Sequence, residues 1–255
     1  AVFTVLMDDE LAIQLGARVL GAVGGVDTNA DGFKKSIPGP GIGNYITMGK
    51  AMGIARALIG EKGLRQRTQV HAHGTGTPQN RVTESHILNE MAKSFGIENW
   101  PVSAIKSYVG HSMAPAGGDQ LAAAMGTWAH GWLPGITTVD HIADDVENSR
   151  LNLTLSHLQI DPQQLEGAFV NSKGFGGNNA TGFFMSPFVT RKMLAKRWGN
   201  KHIRHWNKLN EEVEAQANEY DRNADSGQFP PIYNFGEGVL GGMDMETVRF
   251  GGWER

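Results

Sequence analysis

The stretch that decides the reading is His73-Gly74-Thr75-Gly76-Thr77-Pro78. Lys106-Ser107-Tyr108-Val109-Gly110-His111 and Gly174-Phe175-Gly176-Gly177-Asn178-Asn179 stand behind it. Each follows a short run that reads as a strand: residues 69–73, 102–105 and 169–172. A strand running into a glycine-rich turn delivers side chains and free backbone N–H groups to one edge of a sheet, where α/β proteins place their sites. Together the three turns deliver two imidazoles, one ammonium and spare N–H donors. That equipment suits stabilisation of an enolate or oxyanion, because donors must stand where negative charge develops.

Working outward, residues 2–6 read as a short apolar strand, and Asp8-Asp9-Glu10 opens a helix with acids where the macrodipole favours them. Residues 17–26 form a second strand and residues 27–43 a loop of Gly, Pro, Asn and Asp. Residues 44–60 predict a helix with Ile46, Gly49, Met52, Gly53, Ala57 and Leu58 along one face, closed by Gly60 or Gly63. Further helices are expected over 83–95, ended by Gly96, and over 116–128. Residues 133–162 read as mixed loop and short strands. A strand over 181–185 makes a hairpin-like pair with 169–172 around the third motif.

The chain changes character near Thr190. Arg191, Lys192, Lys196, Arg197, Lys201, Arg204 and Lys208 crowd one stretch, and Glu211, Glu212, Glu214 and Glu219 follow it. Ile203, Trp206, Asn210, Val213, Ala217 and Tyr220 are spaced as the stripe of an amphipathic helix. Beyond Ser226 lies a Gly-rich tail with Phe229, Tyr233, Phe235, Phe250 and Trp253, expected to be ordered where those aromatics pack.

The composition of the 255 residues, 40% hydrophobic and 19% charged, is that of an ordinary globular protein. A net charge of −3 predicts no general affinity for nucleic acid, and no apolar run is long enough for a membrane span. There is no cysteine, hence no disulfide, thiolate metal site or cysteine nucleophile. The start, Ala1-Val2-Phe3, lacks an initiator Met and a signal-peptide pattern, so a piece of something longer is expected. His71, His73, His86 and His111 offer imidazoles, but no carboxylate stands at a ligand spacing, so no metal is assigned. Gly39-x-Gly41-x-Gly43 with Gly49-Lys50 misses the phosphate-loop spacing, and Gly174-x-Gly176-Gly177 is not the dinucleotide fingerprint.

In order and spacing the three motifs resemble the C-terminal half of the β-ketoacyl synthases, whose pattern is H-G-T-x-T-P, a following Glu (here Glu84), K-x-x-x-G-H and G-F-G-G-x-N. The resemblance implies an α/β, thiolase-like fold: a mixed sheet with helices on both faces over residues 1–188, then a helical and irregular extension over 189–255. It implies decarboxylative Claisen condensation of an acyl thioester with malonyl-acyl carrier protein in fatty-acid synthesis. His73 and His111 would hold the enolate oxygen as donors, and Lys106 would orient the pocket. The Phe175 N–H, with Gly176 beside it, would join the oxyanion hole while the Phe175 ring gates it. Thr75 and Thr77 would bind pantetheine; Glu84 and Asn179 would be structural. No cofactor is implied, since the substrates carry phosphopantetheine or CoA. The implied partners are acyl carrier protein, the cysteine-bearing N-terminal half and a second copy in a homodimer; the implied location is the cytoplasm.

Several positions depart from the family pattern. Arg81 stands where an Asp is usual, Gln120 where an acid is frequent with Asp119 beside it, Asn178 for Thr, and Lys173 where an apolar residue is common. With the extension, these bring the chain nearer the long, divergent bacterial synthases that start from acetyl-CoA. Two other readings remain open: a non-condensing partner of the chain-length-factor type, and a binding module acting through the basic helix. Retention of both histidines and the lysine speaks against the first.

Overall fold

The computed structural model describes residues 2–32 and 41–228. Its strands and helices follow in the order α1 (Asp9–Gln14), β1 (Ala22–Ala30), α2 (Ile42–Gln66), β2 (Thr68–His71), α3 (Pro78–Phe95), β3 (Trp100–Ser103), α4 (Lys106–Val109), α5 (Ala116–His130), β4 (Trp132–Leu133), β5 (Leu151–Leu153), β6 (Leu158–Gln159), β7 (Gly167–Gly174), β8 (Asn178–Met185) and α6 (Pro187–Asp225). Six strands make one mixed sheet in the order β1-β8-β7-β2-β3-β5. β8 is antiparallel to both β1 and β7, while β7, β2, β3 and β5 pair in parallel. Five strands therefore point one way, and the three glycine turns leave from one edge.

Helices lie on both faces. On one, α2 and α3 cover Trp100, Phe169 and Phe183, whose rings stand 5.4 and 5.0 Å apart, together with Met48, Met52, Leu64, Ile87 and Leu88. Burying each such large side chain contributes about 1.5–3 kcal/mol. The Trp100 indole N–H is not stranded there; it donates to Thr68 Oγ1 at 3.0 Å. On the other face α5 packs Ala124 and Trp128 against Ala168 and Leu165. Alternation along β7 shows the division: Asn171 bonds Asn44 of α2, and Ser172 bonds Gln120 of α5.

Several expectations need correction. Residues 2–6 form no strand, and Phe3, Val5 and Leu6 are exposed. An apolar run without a partner ladder has nothing to pair with. β1 begins at Ala22 and carries through Asp27, Thr28 and Asn29, residues read as loop, because β8 supplies a full ladder opposite them. α2 runs past Gly60, which breaks the helical geometry at φ 73° without ending the helix. Its buried face is Asn44, Thr47, Met48, Ala51, Met52 and Ala55, so of the expected stripe only Met52 is buried. α3 begins at Pro78, five residues before the expected start, with proline in its first turn.

α6 spans the basic stretch and the acidic one, with a kink at Gly199. Its first turn touches the sheet's core through Val189, and its longer part packs elsewhere. Trp206, Leu194 and Ile203 pack against Ile13 and Val19, and Trp206 Nε1 and Asn210 Nδ2 donate to the Ala17 carbonyl at 3.1 and 3.3 Å. The helix is thus fastened to the segment that precedes β1. Of the expected stripe, Ile203, Trp206, Asn210, Val213 and Ala217 are at least partly buried, while Tyr220 is exposed. The Gly/aromatic tail lies outside the described residues. No helix among them is long and apolar enough to cross a membrane.

Candidate active site

His73 leaves β2, Lys106 opens the short α4 after β3, and His111 follows α4 across Gly110. The turn after His73 needs glycine: Gly74 has φ 53°, and a Cβ there would stand 2.8 Å from the Ala104 Cβ. The turn is clamped from below by Glu84 of α3. Its carboxylate accepts the His73 N–H at 2.7 Å, the Gly74 N–H at 2.8 Å, Asn80 Nδ2 at 3.0 Å and Asn171 Nδ2 at 2.8 Å. Burial pushes the Glu84 pKa up, but His73, the Gly74 N–H, Lys173 and Asn171 more than offset it and leave it below the ordinary value. His73 is neutral at pH 7, so at that pH the N–H donors and Lys173 carry the stabilisation.

The two histidine rings stand 5.3 Å apart, inclined at 81°. His73 is buried and His111 exposed at the mouth. Burial holds the His73 pKa at about 4, with Lys106, His111 and Lys173 acting in the same direction against Glu84. The His111 pKa is also lowered, by desolvation and then by Lys106. Each ring turns Nδ1 to a backbone N–H: Lys173 N donates to His73 at 3.3 Å, and Met113 N to His111 at 3.1 Å. A neutral imidazole whose Nδ1 accepts carries its proton on Nε2. Both rings thus carry their proton on Nε2. Met113 pays for its contact with a positive φ of 65°, the one non-glycine residue so placed among those described.

Lys106 is 9% exposed, and its Nζ has no hydrogen-bond partner in the structure. Burial lowers its pKa against the pull of Glu84 and Asp119. α4 is held in place by Tyr108, whose hydroxyl donates to the Gly135 carbonyl, lies 3.0 Å from Thr137 Oγ1 and stacks over His157. From α5, Gln120 Nε2 reaches the carbonyls of His71, Ala72 and Asn171 at 2.8, 2.6 and 2.9 Å, fastening the exit of β2 to β7. Phe175 and Gly176 form the tip of the β7–β8 hairpin, with Phe175 68% exposed. Asn178 Nδ2 donates to the Phe175 carbonyl at 2.7 Å, and Asn179 is buried beneath, donating to Asp31 Oδ1 at 2.8 Å. Thr75 and Thr77 sit on the outer rim, their hydroxyls 3.4 Å apart. Arg81 lies away from the histidines, in a bidentate pair with Asp145 at 2.9 and 2.8 Å.

Asn80, Asn171, Lys173, Tyr108 and Met113 support this arrangement and were not picked out by their types or spacing as supports. Lys173 had a local signal as a charge in an apolar slot, and Asn171 had one as its neighbour two positions back on the same face of a strand entering a motif. No cluster of three His, Cys, Asp or Glu side chains fit to hold a metal occurs among the described residues.

Residues 20–140 match the family model described as "Beta-ketoacyl synthase, C-terminal domain". The chain is 50% identical over 238 residues to the β-ketoacyl-[acyl-carrier-protein] synthase FabY of Pseudomonas aeruginosa, covering 93% of this chain and 37% of FabY. The crystal structure of the P. aeruginosa ketosynthase FabY superposes with a TM-score of 0.86 at 51% identity, over 91% of this chain and 36% of that one. A 3-oxoacyl-[acyl-carrier-protein] synthase 2 from Synechocystis is 29% identical over 69% of this chain and 40% of its own. The chain therefore spans well under half the length of these relatives. The FabY match, at 93% of the chain, takes in most of the residues beyond 188.

Proposed function

The chain corresponds to the C-terminal part of a β-ketoacyl synthase of the thiolase superfamily, and we propose that it carries the malonyl half of a decarboxylating, carbon–carbon-bond-forming site. A malonyl thioester would seat its carbonyl oxygen between His73 and His111. As the bond to the carboxylate breaks and carbon dioxide leaves, the electron pair passes to that oxygen as an enolate. The two Nε2–H groups meet the charge as it forms, and they do so without a proton change, because both rings are already neutral donors. Lys106 adds positive potential from a dry site and disfavours protonation of either ring. The enolate carbon would then attack an acyl thioester, expelling its thiolate, while the Phe175 N–H receives the tetrahedral oxyanion.

This chain contains no cysteine, so the thiol holding the acyl group comes from outside these 255 residues. The N-terminal part of the same synthase fits that role. It would cover the open end of the β1–β8 face, where Val23 and Val26 are exposed, and meet the exposed Phe175. Thr75 and Thr77 on the rim would bond the pantetheine arm, so no separate cofactor is needed. We assign residues 1–188 to the synthase body and 189–255 to an extension, and the working form to a cytoplasmic homodimer.

Acyl carrier protein is the proposed partner, and α6 its docking element. Arg197 pairs with Asp9 at 3.0 Å and Arg191 lies over the Trp206 ring, so these two cations anchor the helix. Lys201, Arg204 and Lys208 are exposed and free to face an acidic protein. The observation that carries the catalytic reading is the histidine pair with both Nδ1 atoms tied back. Its test is decarboxylation of a malonyl thioester by the full-length protein with each histidine replaced. Loss in both variants supports the reading, and retention in either favours the non-condensing alternative.

A further inference from the structure

Lys173 is the only charged side chain on the β7–β8 hairpin strands, yet it is 5% exposed and its Nζ has no hydrogen-bond partner in the structure. A lysine is almost never sealed in this way unless something compensates its charge. Its surroundings identify the compensation. Asn171, two residues earlier on the same face of β7, donates to Glu84 at 2.8 Å. Asn179, directly opposite Lys173 in the ladder, donates to Asp31 at 2.8 Å. The lysine thus enters a layer bounded by two buried carboxylates, Glu84 at 4% and Asp31 at 7% exposure. Both act electrostatically on its ammonium. Two acceptors in that layer, Asn179 Oδ1 and Asn80 Oδ1, are also without partners.

Each carboxylate holds a different part of the site. Glu84 clamps the His73–Gly74 turn, and Asp31 accepts the Gly43 N–H at the start of α2 at 2.9 Å as well as Asn179 of the hairpin. The backbone N–H of Lys173 itself fixes the His73 tautomer. We propose that Lys173 is a positioning residue: its ammonium is the shared counter-ion of Glu84 and Asp31, and it locks the His73 turn to the hairpin that carries Phe175. The role in positioning His73 rests on the function proposed above. The ionic coupling does not, and it is what the experiment reads.

The charged and titratable groups facing this layer are Glu84 of α3, Asp31 after β1, His73, and Lys106 and His111 beyond it. Glu84 titrates below its ordinary value in the folded protein, so its stabilising contribution is present above the unfolded pKa and is lost as pH falls through the folded one. Removing the ammonium raises the folded value towards the unfolded one, so the variant is already less stable at neutral pH and has less left to lose as pH falls. Melting temperature is measured from about pH 2.5 to pH 8 for full-length protein, Lys173→Met, Glu84→Gln and the double variant. Lys173→Met is expected to melt below the parent near neutral pH and to close part of that gap as pH falls through the carboxylate range, giving a shallower acid limb. With Gln at position 84 this pH-dependent part of the gap should shrink, and the double variant should lose less than the two single losses combined. A gap that does not change with pH, with additive losses, would overturn the proposal and leave Lys173 a packing residue. Should Lys173→Met not fold, Lys173→Gln reads the same closing gap with a polar side chain in the slot.

Discussion

His73 and His111 stand with ring centroids 5.3 Å apart and nearly perpendicular, each with its Nδ1 already engaged by a main-chain N–H. The donors are amides of the hairpin strand β7 and of the left-handed residue Met113, so the backbone rather than another titratable group fixes both tautomers. Hydrogen bonds to main-chain amides do not change with pH. A pair built this way presents the same two Nε2–H groups across the whole range in which both rings stay neutral.

Glu84→Gln should weaken the clamp under the first turn. One of its two oxygens becomes an NH2 facing N–H donors, so at least one buried donor is left unmet, at a cost of about 1–3 kcal/mol. The expected result is a lower melting temperature and a fall in turnover larger than the change in KM, because the misplaced group is His73 rather than the pantetheine rim. Unchanged stability would mean that the four bonds to Glu84 are replaceable by water.

Acid sensitivity should come in part from His71. It is fully buried, neither ring nitrogen has a hydrogen-bond partner in the structure, and burial lowers its pKa to about 4. The unfolded chain takes up the proton near the ordinary value of 6.5, whereas the folded chain resists it until about 4. Stability is therefore at its full value above the unfolded pKa and declines as pH falls from 6.5 towards 4. His71→Leu removes both the titration and the orphaned nitrogens. Its melting temperature should exceed the parent's by more at about pH 5 than at pH 8, read by calorimetry at both. An equal difference at the two pH values would show that His71 does not titrate on unfolding.

Charge reversal at Lys201, Arg204 and Lys208 should raise KM for carrier-protein substrates on the order of threefold or more at low salt, chiefly through slower encounter. Turnover of a pantetheine-only malonyl thioester should hardly change. The effect should shrink as salt is added, since exposed charges are screened beyond about 8–10 Å near physiological ionic strength. Arg197 is left intact because its pairing with Asp9 helps hold the helix. Equal losses with both substrates would point to misfolding, and no loss with either would make α6 a solvated structural helix.

Much of the fold and the turns was legible because those signals are local. A strand, a glycine turn and a histidine or lysine at its exit are written in consecutive residues, and the three motifs leave one sheet edge as their strands implied. What was not legible depends on register between distant segments. Asp27-Thr28-Asn29 have loop chemistry, and only the β8 ladder makes them strand. The face of α2 was misassigned because Gly and Ala recur all round it, so periodicity had little contrast. Lys173 stood out only as a misfit in an apolar slot. Its place between Glu84 and Asp31 follows from pairing with Asn179 and from α3 packing beneath, and neither is visible in the order of residues. The basic stretch was legible as charge, but its fastening to Ile13 and Ala17 at the other end of the described chain was not.

The most direct test of the central claim is decarboxylation of a malonyl thioester, followed as carbon dioxide release by full-length protein, in His73→Ala and His111→Ala. Each variant removes one donor to the developing enolate oxygen, so each should lose on the order of 10²–10³ in rate. His73→Gln and His111→Gln, which keep an N–H donor of different reach, should lose less. Near-parental decarboxylation by either alanine variant, in protein shown to be folded, would contradict the account.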